Sequence, residues 1–125
     1  NLTYLAIGRT GVYGEIPKEL SKLKKAEVIS LRWNRLSGTF PIEVTQDRFI
    51  DIDCAYNNLT ELPFEVWKDE YPGTPPKLFM NRLSGEIPEW VFKTKKWEEY
   101  NGYSIGKQQE GYGYSNYTPP VYSNN

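Results

Sequence analysis

The chain has no histidine, a single cysteine and almost no net charge, −1 from 15 basic and 16 acidic residues. Each shortage removes a class of function. Without histidine the commonest general base and metal ligand is missing, and most hydrolase constellations go with it. Cys54 has no partner for an internal disulfide. It falls where the neighbouring segments carry Ile7, Leu31 and Leu78, so it is read as a small buried hydrophobe, not a nucleophile. Balanced charge gives no field to draw in nucleic acid or an anionic membrane surface. Apolar runs such as Trp90 to Phe92 fall far short of the roughly 18 residues of a membrane span. No glycine-rich phosphate loop or cluster of metal ligands is present, and no cofactor is expected.

What the chain does have is a repeated grammar. Ala26, Ile29 and Leu31, followed by Asn34, Leu36, Gly38, Phe40 and Pro41, spell a strand, a turn and a proline-marked stop. A copy precedes it at Leu2, Leu5, Ile7, Thr10, Val12, Gly14, Ile16 and Pro17. Two follow, at Phe49, Ile52, Cys54, Asn57, Leu59, Leu62 and Pro63, and at Leu78, Asn81, Leu83, Gly85, Ile87 and Pro88. The turn position falls at 10, 34, 57 and 81, in steps of 24, 23 and 24 residues. No single copy can bury its own apolar face, so the copies are expected to stack, with Ile29, Leu31, Ile52 and Leu78 inside.

The departures from the pattern are informative too. In the fourth copy Gly73 and Pro76 occupy the slots of Ala26 and Ile29, and proline cannot donate to a strand ladder. That strand is expected to be short and to start near Lys77. Leu20 and Leu23 after Pro17, and Phe64, Val66 and Trp67 after Pro63, supply apolar bulk for short helical return segments. Lys18, Lys22, Lys24 and Lys25 are read as a solvated face. From about Glu98 leucine disappears and tyrosines spread through the chain, at 100, 103, 112, 114, 117 and 122. Residues 1–97 are therefore assigned to the repeats and 98–125 to a Tyr/Gly-rich cap or tail, with Trp97, Tyr100 and Ile105 over the last apolar layer.

The endings GEIP (14–17), SGTFP (37–41) and SGEIP (84–88) resemble those of plant-type leucine-rich repeats, a type also found in bacterial cell-surface proteins. The resemblance covers about residues 2–92. The third copy lacks the Ser-Gly insertion and is one residue shorter between turn and proline. The resemblance implies an α/β solenoid: a short right-handed coil with a parallel concave sheet and mostly irregular or short helical convex segments. About four repeats are expected, beginning inside one. It also implies that the turn asparagines bond backbone groups of adjacent coils, a ladder that Thr10 would begin weakly. The implied function is that of a non-catalytic binding module of an exported or cell-surface protein, contacting a protein, peptide or glycan. The alternative is a structural spacer or self-associating fragment, joined through the uncapped first coil of Leu2, Leu5 and Ile7.

Aligned copies place Arg9, Trp33, Tyr56 and Met80 in one outward column, with Gly8, Arg32, Ala55 and Phe79 beside it. A further column holds Ala6, Ser30, Asp53 and Lys77, and the next Tyr4, Val28, Asp51 and Pro75. Parallel strands about 4.8 Å apart would make Trp33, Tyr56 and Met80 a continuous stripe. The expected ligand face comprises Arg9, Arg32, Trp33, Asp51, Asp53, Tyr56, Lys77, Phe79 and Met80. Asp51 and Asp53 project from one face of a strand and raise a third reading, a glycosidase-like acid and base. A hydrated acidic patch facing Arg32 or Lys77 is the simpler account. Asn1, Asn58 and Asn116 each begin a glycosylation sequon, which matters only in a secreted eukaryotic protein.

Overall fold

The computed structural model describes residues 4–45 and 50–120. Leu2, Phe49, Tyr122 and the Asn1 sequon lie outside them. In chain order the strands are β1 (Tyr4–Ala6), β2 (Tyr13–Glu15), β3 (Val28–Ser30), β4 (Arg35–Thr39), β5 (Asp51–Asp53), β6 (Asn58–Glu61), β7 (Ser84–Gly85) and β8 (Gly113–Tyr114), with one helix, α1 (Lys95–Ser104), before β8. They form three small parallel sheets, ordered β1-β3-β5, β2-β4-β6 and β7-β8. None of the helical segments is long and apolar enough to cross a membrane.

The first sheet follows the repeat. Leu5, Ile29 and Ile52 align across it, and Ile29 and Ile52 are buried while Leu5 is half-buried. The pleat sends the flanking residues outward, so Tyr4, Val28 and Asp51 form one row and Ala6, Ser30 and Asp53 another. Lys77 extends the second row through a lone parallel bridge to Asp53. Pro75 and Pro76 keep that fourth strand from lengthening, as the missing N–H groups require.

The second sheet departs from the expected turn and stop. Arg35 to Thr39 and its counterparts pair as strands, because Leu36 and Leu59 point inward between polar neighbours and bury fully. Beyond each proline the chain tightens into a 3₁₀ turn: Lys18–Lys22, Ile42–Val44, Phe64–Trp67 and Glu89–Lys93. In all four the carbonyl of that proline accepts the first bond, from Leu20, Val44, Val66 and Val91 at 3.0 to 3.3 Å.

Between the first and second sheets the buried asparagines bind backbone. Asn34 accepts from the N–H groups of Thr10 and Val12 and donates to the carbonyls of Ile7 and Leu31. Asn57 accepts from Leu36 and donates to Leu31, Cys54 and Ala55, and Asn81 accepts from Leu59 and donates to Cys54, Leu78 and Phe79. Gln108 adds a further rung, accepting from Leu83 and donating to Leu78 and Ile105. Buried amides that both donate and accept in this way raise the cost of opening any one layer. Cys54 lies in the core at 0% exposure, and burial pushes its thiol well above the ordinary range, consistent with a small hydrophobe.

The tyrosine-rich segment continues this pairing. Leu78 and Met80 donate their N–H groups to the carbonyls of Ser104 and Lys107, β8 pairs with β7, and Asn116 exchanges both hydrogen bonds of its amide with the backbone of Ile87. Helix α1 starts at Thr94, whose hydroxyl accepts from Trp97 N–H. Trp97 then packs edge-on against Trp67, Phe92 and Tyr117. Lys96 ties the helix to the proline segment: its ammonium donates to the carbonyls of Tyr71 and Gly73 and lies over the Tyr71 ring. Burial lowers its pKa, against the opposing pull of Asp69 and Glu70.

Candidate functional site

Four residues carry the same unusual backbone. Arg9, Trp33, Tyr56 and Met80 have φ of 56°, 64°, 60° and 58°, the left-handed region. For residues other than glycine this costs roughly 1 to 2 kcal/mol each. The conformation is held because each donates its N–H across to the next segment, to the carbonyls of Trp33, Ala55, Phe79 and Lys107 respectively. It lets the chain turn so that residue 34, 57 or 81 points into the ladder while the residue before it stays outward. These four therefore lie just beyond the strands, not within them, and the alternation of a strand does not apply to their side chains.

The turns assemble a row of rings and guanidiniums. Trp33 and Tyr56 stack with centroids 3.9 Å apart and planes 12° from parallel. Phe79 meets Tyr56 edge-on at 5.7 Å. Arg9 lies over Trp33 at 4.8 Å, and Arg32 lies 5.1 Å over Phe79 and 5.7 Å from Tyr56. Met80 shares the left-handed turn of Arg9, Trp33 and Tyr56, and the ring that meets Tyr56 is that of Phe79 from the neighbouring column. Ala55, expected beside Arg32 and Phe79, is fully buried.

A second row lies beside the first. Arg32 Nε and Nη2 both reach Asp53 Oδ2 at 2.8 Å, and Asp53 Oδ1 accepts from Ala55 N–H at 3.1 Å. Asp51 accepts from the Tyr103 hydroxyl at 3.1 Å, and the Lys77 ammonium lies 4.7 Å over the Tyr103 ring. Burial, reinforced by the Asp51 charge, pushes the Tyr103 phenol up to about 12, so it remains a donor through the physiological range. Both carboxylates are thus engaged by protein groups. The hollow lined by residues 105–114, 117 and 119 and the one among residues 15–18, 39–43 and 63 include none of the nine expected site residues.

Two contributors come from the tyrosine-rich segment and were not anticipated. Tyr103 reaches across from α1, and Gly106 supports Phe79. A Cβ on Gly106 would lie 2.9 Å from Phe79 Cβ and 3.1 Å from the Gly102 carbonyl, and its φ is +49°. Neither follows the repeat, so no spacing rule points to them; the abundance of aromatics was the available signal. No protein-family model and no curated protein matches the chain.

Proposed function

We propose that the chain is a short leucine-rich-repeat solenoid acting as a non-catalytic binding module of an exported or cell-surface protein. Its concave face, formed by the outward side of β1, β3 and β5 and the turns that follow them, takes a protein, peptide or glycan. The strand registers and the recurring asparagine bonds support the solenoid reading. One observation carries the function: bulky Arg9, Trp33 and Tyr56 occupy left-handed turns where glycine would be free of strain, and Trp33 is still 42% exposed. Strain kept for an exposed side chain is a mark of a contact surface. The enzyme reading is weaker, because Asp53 is committed to Arg32 and Ala55 and Asp51 to Tyr103.

Binding to peptide and glycan arrays, compared between the chain and a Trp33→Ala/Tyr56→Ala variant, tests this. Anchors at the centre of an interface contribute at least about 1 kcal/mol each, so the double variant should lose about thirtyfold or more in affinity for any ligand captured. Full retention by a folded variant rejects the concave-face reading.

The self-association alternative rests on the opposite end. Among the described residues β1 and β2 pair on one side only, and Tyr4, Ile7, Val12 and Tyr13 are exposed there, Tyr13 at 83%. Such an edge invites a second copy. Sedimentation equilibrium decides: a monomer up to high concentration rules it out.

A further inference from the structure

The binding reading leaves the partner's chemistry open, and the way the rings stack narrows it. Arg9 follows β1 and Tyr56 follows β5, on either side of the β3 segment that carries Trp33, so the guanidinium and the phenol ring cover opposite faces of the indole. Phe79 carries Arg32 on one face. A sugar stacks by setting its C–H groups on the negative face of an aromatic ring. At Trp33 protein groups already fill both faces.

What the row turns outward is edges. Ring edges are the positive rim of the aromatic quadrupole, and an arginine lying flat on a ring keeps its N–H donors in its own plane, free to project sideways. Among the described residues the one ion pair is Arg32 with Asp53, so the exposed Arg9 pairs with no carboxylate, while Lys77 stands beside Asp53 in its row and over the Tyr103 ring. Asp53 is neutralised by Arg32, whereas the exposed Asp51 accepts one bond from the neutral Tyr103 phenol and keeps its charge. Arg9, at the other end of the row, is the cation whose donors are left to a partner.

We propose that this face binds an acidic peptide segment, whose carboxylates meet Arg9 first and then the free edges of Arg32 and Lys77, with Trp33 and Tyr56 as an edge-on floor. The inference rests on the binding reading above and refines it. Selectivity comes from the covered faces of Trp33, which leave a neutral sugar no indole face to stack on.

The test is a heteronuclear NMR titration of the full chain with three probes: a decapeptide alternating glutamate and serine, its lysine and serine counterpart, and a neutral glucan hexasaccharide. The acidic peptide should shift the amides of Arg9, Arg32 and Trp33 and the Trp33 indole, with apparent affinity falling severalfold as salt is raised. Arg9→Ala should weaken it about fivefold, and Arg9→Lys should recover part of that loss. Shifts at these positions from the glucan alone, or equal shifts from the acidic and basic peptides, overturn the acidic-partner inference while leaving the face as a binding site. No shift there with any probe overturns the acidic-partner inference and counts against the face itself.

Discussion

Tyr56 and Asn57 are adjacent in the chain and do opposite things. Asn57 is 1% exposed and uses its amide on the N–H of Leu36 and the carbonyls of Leu31, Cys54 and Ala55. Tyr56 sits in a strained turn, leans outward and touches other outward side chains. The same division recurs at Trp33 and Asn34. Inner amides close hydrogen bonds that water cannot replace once the layers stack, so they hold the fold together. The outer rings gain only stacking and cation contacts, worth roughly 0.5 to 1.5 kcal/mol each, about what the left-handed backbone costs.

The comparison breaks most visibly at Asn57. Asn57→Ala orphans the buried Leu36 N–H, worth roughly 1 to 3 kcal/mol, and takes one bond from each of the Leu31, Cys54 and Ala55 carbonyls, worth roughly 0.5 to 1.5 kcal/mol apiece, and should cost about 3 kcal/mol by urea denaturation. Tyr56→Ala should cost about 1 kcal/mol. Similar losses for the two would erase the distinction.

Gly106→Ala sharpens it from the side of the row's support. The new methyl group would press on Phe79 in a backbone that already favours glycine, and a loss of about 1 to 3 kcal/mol is expected. Because the close contact is with the Phe79 Cβ, Gly106→Ala should cost less in a Phe79→Gly background than in the original chain; an equal cost would assign the loss to backbone strain and the Gly102 carbonyl.

Trp33 offers a smaller and more diagnostic effect. Since its φ is 64°, Trp33→Gly should be more stable than Trp33→Ala by about 1 kcal/mol, measured on the same denaturation curves. Alanine equal to glycine would remove the strain argument.

The smallest effect is in pH. Tyr103 is raised in the folded chain to about 12, by burial first and then by Asp51. The phenol's contribution to stability is thus complete below its ordinary pKa near 10 and is lost as pH rises through about 12. Tyr103→Phe should flatten part of that alkaline fall and remove one late-titrating phenol from the tyrosinate absorbance, while Tyr114, pushed up by burial, stays late in both chains. An ordinary titration of all tyrosines would contradict this.

The apolar interior was legible because Ile29, Leu31, Ile52 and Leu78 repeat at matched positions and the stacking rule needs only that spacing. The bonds of Asn34, Asn57 and Asn81 followed from the resemblance. The second sheet was hidden, since Gly14 and Gly38 read as turn residues and only burial of the alternate leucines reveals a strand. The left-handed turns carry no glycine at 9, 33, 56 or 80 to announce them. Gln108 was missed for two physical reasons: it falls 27 residues after Asn81 instead of 23 or 24, and its longer side chain reaches the same backbone groups from a differently placed Cα.

The account turns on the outer row being kept for contact and not for folding. Replacing both Trp33 and Tyr56 by glycine removes the stack and also relieves both strained turns, so the two terms oppose. The chain should keep its circular dichroism and unfold cooperatively within about 2 kcal/mol of the original, while failing to respond to the acidic peptide. A loss well beyond that, comparable to the loss expected for Asn57→Ala, would make the ring row a structural spine and contradict the claim.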